Sequence, residues 1–266
     1  WKRVLERGKT TMNGPHQGGW IHTKYGEDWF IHFQDKGPYG RVCHLQPVDW
    51  SSGWPVIGNA GEPYWKFRKP KSDSKTIVNP VETDEFDSSK LGMQWQWQND
   101  YKESYGQATS MGFFRLFTYA LPELGDVSNL WYVPNMLLQK TPADEFTATT
   151  KLSFCSRNSD QYVGLVCMSA EYSSVGLQRT EDGYELQIRH NPNAMRTHLT
   201  DEVLTVDTLK PTQKGTPRKG RPAEMHIKDV YLRMSIKDSK VNYAYSIDGK
   251  KWKKAGGEYA MGKGRW

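Results

Sequence analysis

Aromatic side chains are the first residues in this sequence whose type and spacing suggest a chemical role. The 266 residues include 11 Trp, 14 Tyr and 9 Phe, although only 36% of the chain is hydrophobic. Trp95 and Trp97 alternate with glutamines, which places both rings on one face of a strand, roughly 6.6–6.8 Å apart. Such a pair can form a platform for a sugar. Aromatic rings can also stack nucleic-acid bases or fill a wide β core, and half-buried core packing is the simpler interpretation here.

The three cysteines, Cys43, Cys155 and Cys167, lack Cys-x-x-Cys spacing. Cys155 and Cys167 could face each other on neighbouring strands and form a disulfide; buried free thiols are the simpler interpretation. The cysteines therefore do not decide the cellular location of the protein. A bacterial periplasmic or secreted location and a cytoplasmic one both remain possible. No apolar run approaches the roughly 18 residues of a membrane-spanning helix, so we expect no membrane partner.

Positive charge is concentrated in Leu209–Glu224, which contains five Lys or Arg residues within a net charge of +6. A polybasic segment can contact an anionic polymer. A solvated hairpin loop is the simpler interpretation. Because the segment has no aromatic residue that could stack on a base, we expect no nucleic-acid partner.

The first elements that must position these residues are short strands in residues 1–58. Runs of aromatic and β-branched residues predict strands at 20–23, 29–34, 42–50 and 54–57. A glycine-containing turn at Lys24–Asp28 joins the first two, and Gly37–Gly40 precedes the third. This spacing predicts a single four-stranded blade of a β-propeller. A lone blade exposes both flanks and is not expected to fold by itself.

Residues 59–83 are rich in Gly, Pro, Lys and Ser, which is typical of a linker. The β pattern then returns, with no sustained 3.6-residue period. Strands are predicted at 93–98, 113–118, 146–154, 162–169, 175–179, 184–190, 226–237, 240–247 and 251–254. The pattern predicts an antiparallel β-sandwich.

Several linked segments resemble glycoside hydrolase family 43, in the branch of β-xylosidases and α-L-arabinofuranosidases. The segments similar to the last propeller blade of that family are Asn13–Trp20, Trp29–Asp35, Gly40–Val48 and Gly53–Pro55. Those similar to its appended concanavalin-like sandwich are Leu91–Gln98 and Leu137–Lys140.

The resemblance implies an all-β fold in which a partial five-bladed β-propeller is followed by a concanavalin-like antiparallel β-sandwich. Residues 1–70 would form about one blade, the last, of a truncated catalytic propeller. Residues 71–83 would be the linker and 84–266 the C-terminal sandwich, without its last strands. We therefore expect a C-terminal fragment of a longer enzyme.

The activity implied by the resemblance is that of an inverting glycoside hydrolase. It would remove terminal xylose or arabinofuranose from plant pentose polysaccharides or oligosaccharides. Inversion needs a carboxylic acid and a carboxylate base, about 6.5–9.5 Å apart, and the family carries them in earlier blades. Glu6, Glu27, Asp28 and Asp35 match neither role and are interpreted as solvated surface charges. We expect no catalytic residue in this chain; a non-catalytic carbohydrate-binding sandwich is the alternative.

His16 resembles the histidine at the propeller axis that coordinates or approaches a central metal, usually calcium. Calcium prefers oxygen ligands. With one imidazole beside it, such an ion would be coordinated mainly by water molecules. A purely structural histidine is the alternative. The resemblance also implies a second, structural calcium near the start of the sandwich, with Asp84, Glu85 or Asp87 as candidate ligands.

Arg41 resembles the arginine that reaches the sugar subsite in the family. A guanidinium there can donate hydrogen bonds to sugar hydroxyls and lower the pKa of a nearby carboxylate base. Trp20, Phe33 and Gln34 are further candidates for binding the substrate, which would be a xylo- or arabino-oligosaccharide. Packing inside the blade explains those three residues at least as well. The sequence does not indicate an oligomeric state.

Overall fold

The computed structural model describes residues 1–15, 17–120, 129–195, 200–219 and 221–264. These residues form two compact units, 1–79 and 80–266, and the predicted linker at 71–83 spans the boundary between them. The described residues form β-strands and a few single-turn 3₁₀ segments, so the fold is all-β as predicted. None of the described helices is long and apolar enough to cross a membrane.

The first unit is built on one antiparallel sheet with the strand order β1-β2-β3-β4. Its strands are β1 Gly19–His22, β2 Asp28–Asp35, β3 Arg41–Asp49 and β4 Val56–Ile57. All four lie within one or two residues of the predicted start positions. Such a sheet is the four-stranded unit from which β-propellers are assembled.

Close contact between β1 and β2 requires a small residue at Gly18. A Cβ atom at this position would lie 2.2 Å from the Ile31 carbonyl oxygen and 2.4 Å from the Phe30 ring. Any larger side chain would therefore push the chain away from β2. The resulting register pairs Trp20 with Phe30 and His22 with Asp28.

Residues after β4 form no strand until the second unit, but they pack on the sheet. The Tyr64 and Phe67 rings stack at 4.8 Å, and Phe67 meets the buried Trp29 ring edge-on at 6.0 Å. Gln46, also buried, receives the Tyr64 amide N–H at 2.7 Å. The segment therefore covers one end of the blade instead of running free from β4.

The second unit begins with two short antiparallel pairs. The first pair is β5 Gln96–Trp97 with β8 Leu137–Leu138, and the second is β6 Gly106–Ala108 with β7 Phe114–Leu116. The predicted strands at 93–98 and 113–118 are thus present but shorter. Trp95 lies outside the strand, and its indole N–H donates to the Asp84 carboxylate at 2.8 Å.

Two larger antiparallel sheets follow and form the sandwich. The four-stranded sheet has the order β10-β11-β12-β13: Tyr162–Cys167, Tyr172–Arg179, Tyr184–Asn191 and Glu202–Leu209. The five-stranded sheet has the order β14-β15-β16-β17: Gln213–Lys214, Met225–Lys237, Lys240–Ser246 and Lys253–Ala260. Its fifth strand, β9 Phe146–Ser156, also pairs with β15.

Apolar side chains from both sheets fill the sandwich core. Val175, Leu177, Leu186, Leu232 and Val241 are all fully buried, and each such side chain contributes about 1.5–3 kcal/mol relative to an exposed one. The concanavalin-like β-sandwich predicted for the second half is therefore the observed fold.

Two tyrosines also join the sheets by hydrogen bonds in opposite directions. The Tyr184 hydroxyl, on β12, donates to the Met225 carbonyl at 2.7 Å, on β15. The Tyr243 hydroxyl, on β16, donates to the Ser173 carbonyl at 2.6 Å, on β11. Both tyrosines are buried, so these bonds satisfy polar groups that no solvent reaches.

The strand prediction and the interpretation of the cysteines need correction. The strand β13 was not predicted, because its residues are mostly exposed and show no inward-facing apolar alternation. The cysteines are free, and a disulfide between Cys155 and Cys167 is wrong because β9 and β10 belong to different sheets. Burial was predicted for the free thiols, but only Cys167 is buried; Cys43 and Cys155 are exposed.

The basic segment Leu209–Glu224 is largely exposed in its described part. The short strand β14 pairs with the start of β15, and Arg218 forms an isolated bridge with Arg221. This arrangement is that of a solvated hairpin, the simpler of the two interpretations.

Candidate functional site

The Arg41 side chain lies across the Phe33 ring at one end of the blade. Its guanidinium carbon is 4.5 Å from the ring centroid, a distance typical of a cation–π contact. The strand register explains this, because Arg41 pairs with Asp35 and Phe33 pairs with Cys43 two residues further along β3. Arg41 and Phe33 therefore share one face of the sheet, and Arg41 is exposed.

The turn before Arg41 fixes where β3 begins. A 3₁₀ turn at Gly37–Tyr39 reverses the chain, and Gly40 has φ of 82°, in the left-handed region that favours glycine. The Gly37 N–H donates to the Asp35 carboxylate at 2.8 Å. These contacts place Arg41 directly opposite Asp35 in the strand register.

Trp20 and Gln34 lie on the opposite face of the same sheet. The Trp20 indole N–H donates to Asp28 at 2.8 Å, and its ring lies 5.4 Å from that of Trp50. Gln34 is buried, and its amide donates to the Thr11 carbonyl at 2.9 Å. The structure therefore brings Arg41 and Phe33 together and separates them from the other two candidates.

A pair of histidines at the centre of this second face was not singled out from the sequence. His32 pairs with His44 across β2 and β3, and their rings stack at 5.5 Å. His32 is buried, and its Nε2 has no hydrogen-bond partner among the described residues. Burial lowers the pKa of both His32 and His44. Only the strand register, not the linear sequence, indicates this pair.

A cleft of about 290 Å³ lies at the other end of the blade, lined by Glu27, Asp28, Asp49 and Arg68 together with Trp29 and Trp50. Its carboxylates all have lowered pKa values. The Lys71 backbone N–H lowers that of Glu27, the His22 ring lowers that of Asp28, and the Ser51 backbone N–H lowers that of Asp49. A general acid in glycoside hydrolysis needs a raised pKa, so these groups are poor candidates for that role.

The sequence-based interpretation of Glu27 as a solvated surface charge is wrong. Its side chain is only 9% exposed and forms an ion pair with Arg68 at 2.5 Å. It also accepts the Lys71 backbone N–H at 2.8 Å. Glu27 therefore anchors the segment that follows β4.

Trp95 and Trp97, the candidates for a sugar platform, pack against other aromatic rings. Trp95 stacks on Phe86 at 5.5 Å, while Trp97 lies 5.7 Å from Tyr105 and 6.0 Å from Phe114. Both are half-buried. This favours core packing over a sugar platform.

A polar network covers the outer face of the four-stranded sheet. The Arg189 guanidinium lies 3.9 Å from the Tyr162 ring centroid and donates to Gln178 at 2.6 Å. Gln187, on the same strand as Arg189, donates to Glu185 at 2.7 Å. The guanidinium therefore lies against the Tyr162 ring, and the amide and carboxylate groups hydrogen-bond within the network.

The metal-site expectations are only partly covered by the described residues. His16 lies outside them. Asp84 lies within them, and its carboxylate accepts N–H donors from the Phe86 backbone, Gln94 and Trp95.

The fold and the sites define an all-β protein that combines a propeller-type blade with a concanavalin-like sandwich. The family model described as "Beta xylosidase C-terminal Concanavalin A-like domain" matches residues 83–265. The chain belongs to this family, and through it to glycoside hydrolase family 43.

The relatives extend the similarity to the blade. A "Putative beta-xylosidase" of Xylanibacter ruminicola is 32% identical over 99% of this chain, and a "Beta-xylosidase" of Formosa agariphila is 27% identical over 100% of it. The chain spans 45% of the length of each. Among solved structures, the GH43 protein BlXynB of Bacillus licheniformis matches 97% of this chain with a TM-score of 0.69 at 23% identity, and the chain covers 47% of it.

Proposed function

We propose that this chain is part of an inverting exo-glycosidase that removes terminal xylose or arabinofuranose from plant pentose polysaccharides or oligosaccharides. The observation that carries the proposal is the Arg41 guanidinium 4.5 Å from the Phe33 ring centroid, exposed at one end of a blade. A relative named as a beta-xylosidase and another, from Bacteroides ovatus, named as a non-reducing end alpha-L-arabinofuranosidase support the substrate class.

In this proposal Arg41 is a substrate-binding residue. Its guanidinium presents a fixed fork of N–H donors, and a sugar offers pairs of neighbouring hydroxyls as acceptors. The Phe33 ring restricts the side chain to one face of the blade, so less rotamer freedom is lost on binding. Phe33 itself offers an apolar surface beside the guanidinium.

The catalytic acid and base are proposed to lie in propeller blades outside these 266 residues. The carboxylates lining the blade cleft have lowered pKa values and close partners of their own. His16 is proposed to approach a calcium ion at the propeller axis. Such an ion would be bound mainly through oxygen atoms and would supply positive charge beneath the sugar.

The test compares two proteins on nitrophenyl β-xyloside and nitrophenyl α-L-arabinofuranoside. A longer protein that carries this chain after its propeller blades should release nitrophenol from one of them. The 266-residue chain alone should release it from neither. Release by the isolated chain would contradict the placement of the acid and base, and no release by the longer protein would contradict the activity.

The second candidate is a carbohydrate-binding role for the sandwich, which the network around Arg189 and Tyr162 favours. Electrophoresis of the 266-residue chain through a xylan-containing gel distinguishes the two candidates. Retardation that Arg189→Met abolishes and Arg41→Ala preserves would favour binding by the sandwich. Migration unaffected by xylan would contradict it.

A further inference from the structure

We propose that Cys155, Glu224 and His226 form a zinc-binding site on the outer face of the five-stranded sheet, a site separate from any role in glycoside hydrolysis. A thiol sulfur, a carboxylate oxygen and an imidazole nitrogen from these residues all lie within 4.8 Å of one another. They are the one group of three potential metal ligands that meets this criterion among the described residues.

The strand geometry explains why the three side chains converge. Cys155 on β9 pairs directly with His226 on β15, so both side chains leave the sheet on the same face. Glu224 precedes His226 by two residues, which in an extended chain places it on that face as well. Met225, between Glu224 and His226, and Phe154, next to Cys155, are buried on the inner face.

The distances are close to those of a tetrahedral zinc site. The Cys155 sulfur is 3.3 Å from His226 Nε2, and a Glu224 oxygen is 2.8 Å from the same nitrogen. Tetrahedral bonds of typical zinc length separate a sulfur and a nitrogen ligand by about 3.5 Å, and a nitrogen and an oxygen ligand by about 3.3 Å. Opening the cluster by a few tenths of an ångström would therefore admit the ion.

The surroundings hold two of the ligands in place. The second carboxylate oxygen of Glu224 accepts N–H groups from Arg157 at 2.8 Å, which leaves the first oxygen directed at His226. Thr212 donates its backbone N–H and its hydroxyl to the His226 carbonyl, which fixes the strand there. Metal ligands are commonly oriented by such outer contacts.

A catalytic role for the thiol fits the geometry less well. In a nucleophile–histidine–acid relay, the acid contacts the ring nitrogen that does not face the nucleophile. Here the sulfur and a carboxylate oxygen both contact Nε2, so the three groups do not form such a relay.

The chemistry of the three ligand atoms indicates which metal ion the site would bind. Thiolate, imidazole and carboxylate together suit zinc, and a fourth position would remain for water or an added ligand. Cys155 is exposed and the other two residues are half-exposed, so an ion can enter from solvent. Binding would release the thiol proton, since the thiolate is the form that coordinates the metal.

The test uses Co²⁺ as a spectroscopic probe and Zn²⁺ as its competitor on the purified 266-residue chain. We expect one Co²⁺ per chain, a sulfur-to-cobalt charge-transfer band in the near ultraviolet, and loss of that band on addition of Zn²⁺. Cys155→Ser should abolish the band, and His226→Gln should weaken binding. Loss of an outer partner typically costs about 10- to 100-fold in metal affinity, so loss of a direct ligand should cost at least as much.

Cys43→Ser is the matched control, because Cys43 is the other exposed cysteine and its loss should leave the band intact. Each variant should unfold at the same temperature as the parent without metal, and Zn²⁺ should raise that temperature only where the three ligands are present. A band that survives Cys155→Ser, or Co²⁺ binding without a charge-transfer band, would overturn the proposal.

Discussion

The guanidinium of Arg41 and the ring of Phe33 are in contact across two antiparallel strands, 4.5 Å apart from carbon to centroid. The contact depends on the register of β2 and β3, since a shift by one residue would turn one side chain to the other face. The turn that ends at Gly40 therefore has a structural consequence. It sets the register that holds a cation over an aromatic face at the end of the blade.

Removal of the Tyr184 hydroxyl should destabilise the sandwich. In Tyr184→Phe, the Met225 carbonyl loses a donor in a buried site, and an unsatisfied buried group costs about 1–3 kcal/mol. Tyr101→Phe is the control, because Tyr101 is 59% exposed and should change stability by less than about 0.5 kcal/mol. Urea unfolding followed by near-ultraviolet circular dichroism measures both. Equal midpoints would show that the cross-sheet bond contributes little.

The stacked histidines should make the blade sensitive to mild acid. Burial lowers the pKa of both His32 and His44 below 6.5, so the unfolded chain binds protons more readily than the folded one. Their contribution to stability should be complete above pH 6.5 and should decline as the pH falls through the lowered values. NMR titration of the imidazole signals checks this. Titration of either ring above pH 6.5 would contradict the burial of the pair.

The turn after β16 should be sensitive only to strong acid. Asp248 accepts the backbone N–H groups of Lys250 and Lys251, both at 2.8 Å, and the Ser246 hydroxyl. These bonds lower the pKa of Asp248 to about 2 from 3.8. Its contribution to stability should be present above pH 3.8 and should be lost as the pH falls toward 2.

Asp248→Asn provides the comparison for this effect, because the amide cannot titrate. The variant should be less stable at neutral pH, and its stability should change less between pH 4 and pH 2 than that of the parent. The carboxyl carbon shift of Asp248 in the parent gives its pKa directly. A value near 3.8 would contradict the hydrogen-bonded turn.

The sequence was sufficient for elements in which apolar residues alternate. The long strands β9, β15 and β16 follow a period of two, because one side of each is buried. The four blade strands are indicated instead by runs of aromatic and β-branched residues. In contrast, β13 is exposed along most of its length. No burial pattern marks such an edge strand, so only its pairing with β12 defines it.

Which side chains come together in a site depends on the register of the strands. The linear sequence does not contain that register. Trp20, Phe33, Gln34 and Arg41 were grouped as substrate-binding candidates, yet the register places Arg41 with Phe33 and leaves the other two on the opposite face. Likewise, Cys155 and His226 are 71 residues apart in sequence. Their contact follows from the pairing of β9 with β15, which no local motif indicates.

Arg41 is proposed to bind the sugar in an active glycosidase, and a kinetic comparison tests this role. In the longer protein that carries the propeller blades, Arg41→Ala should lower kcat/KM for the nitrophenyl pentoside that it hydrolyses. Loss of a hydrogen bond from a charged group costs about 1.5–3 kcal/mol, which corresponds to about 10- to 150-fold. Arg3→Ala should leave the rate unchanged, because Arg3 is exposed and pairs locally with Glu6. Equal values of kcat/KM for Arg41→Ala and the parent would show that Arg41 does not bind the sugar.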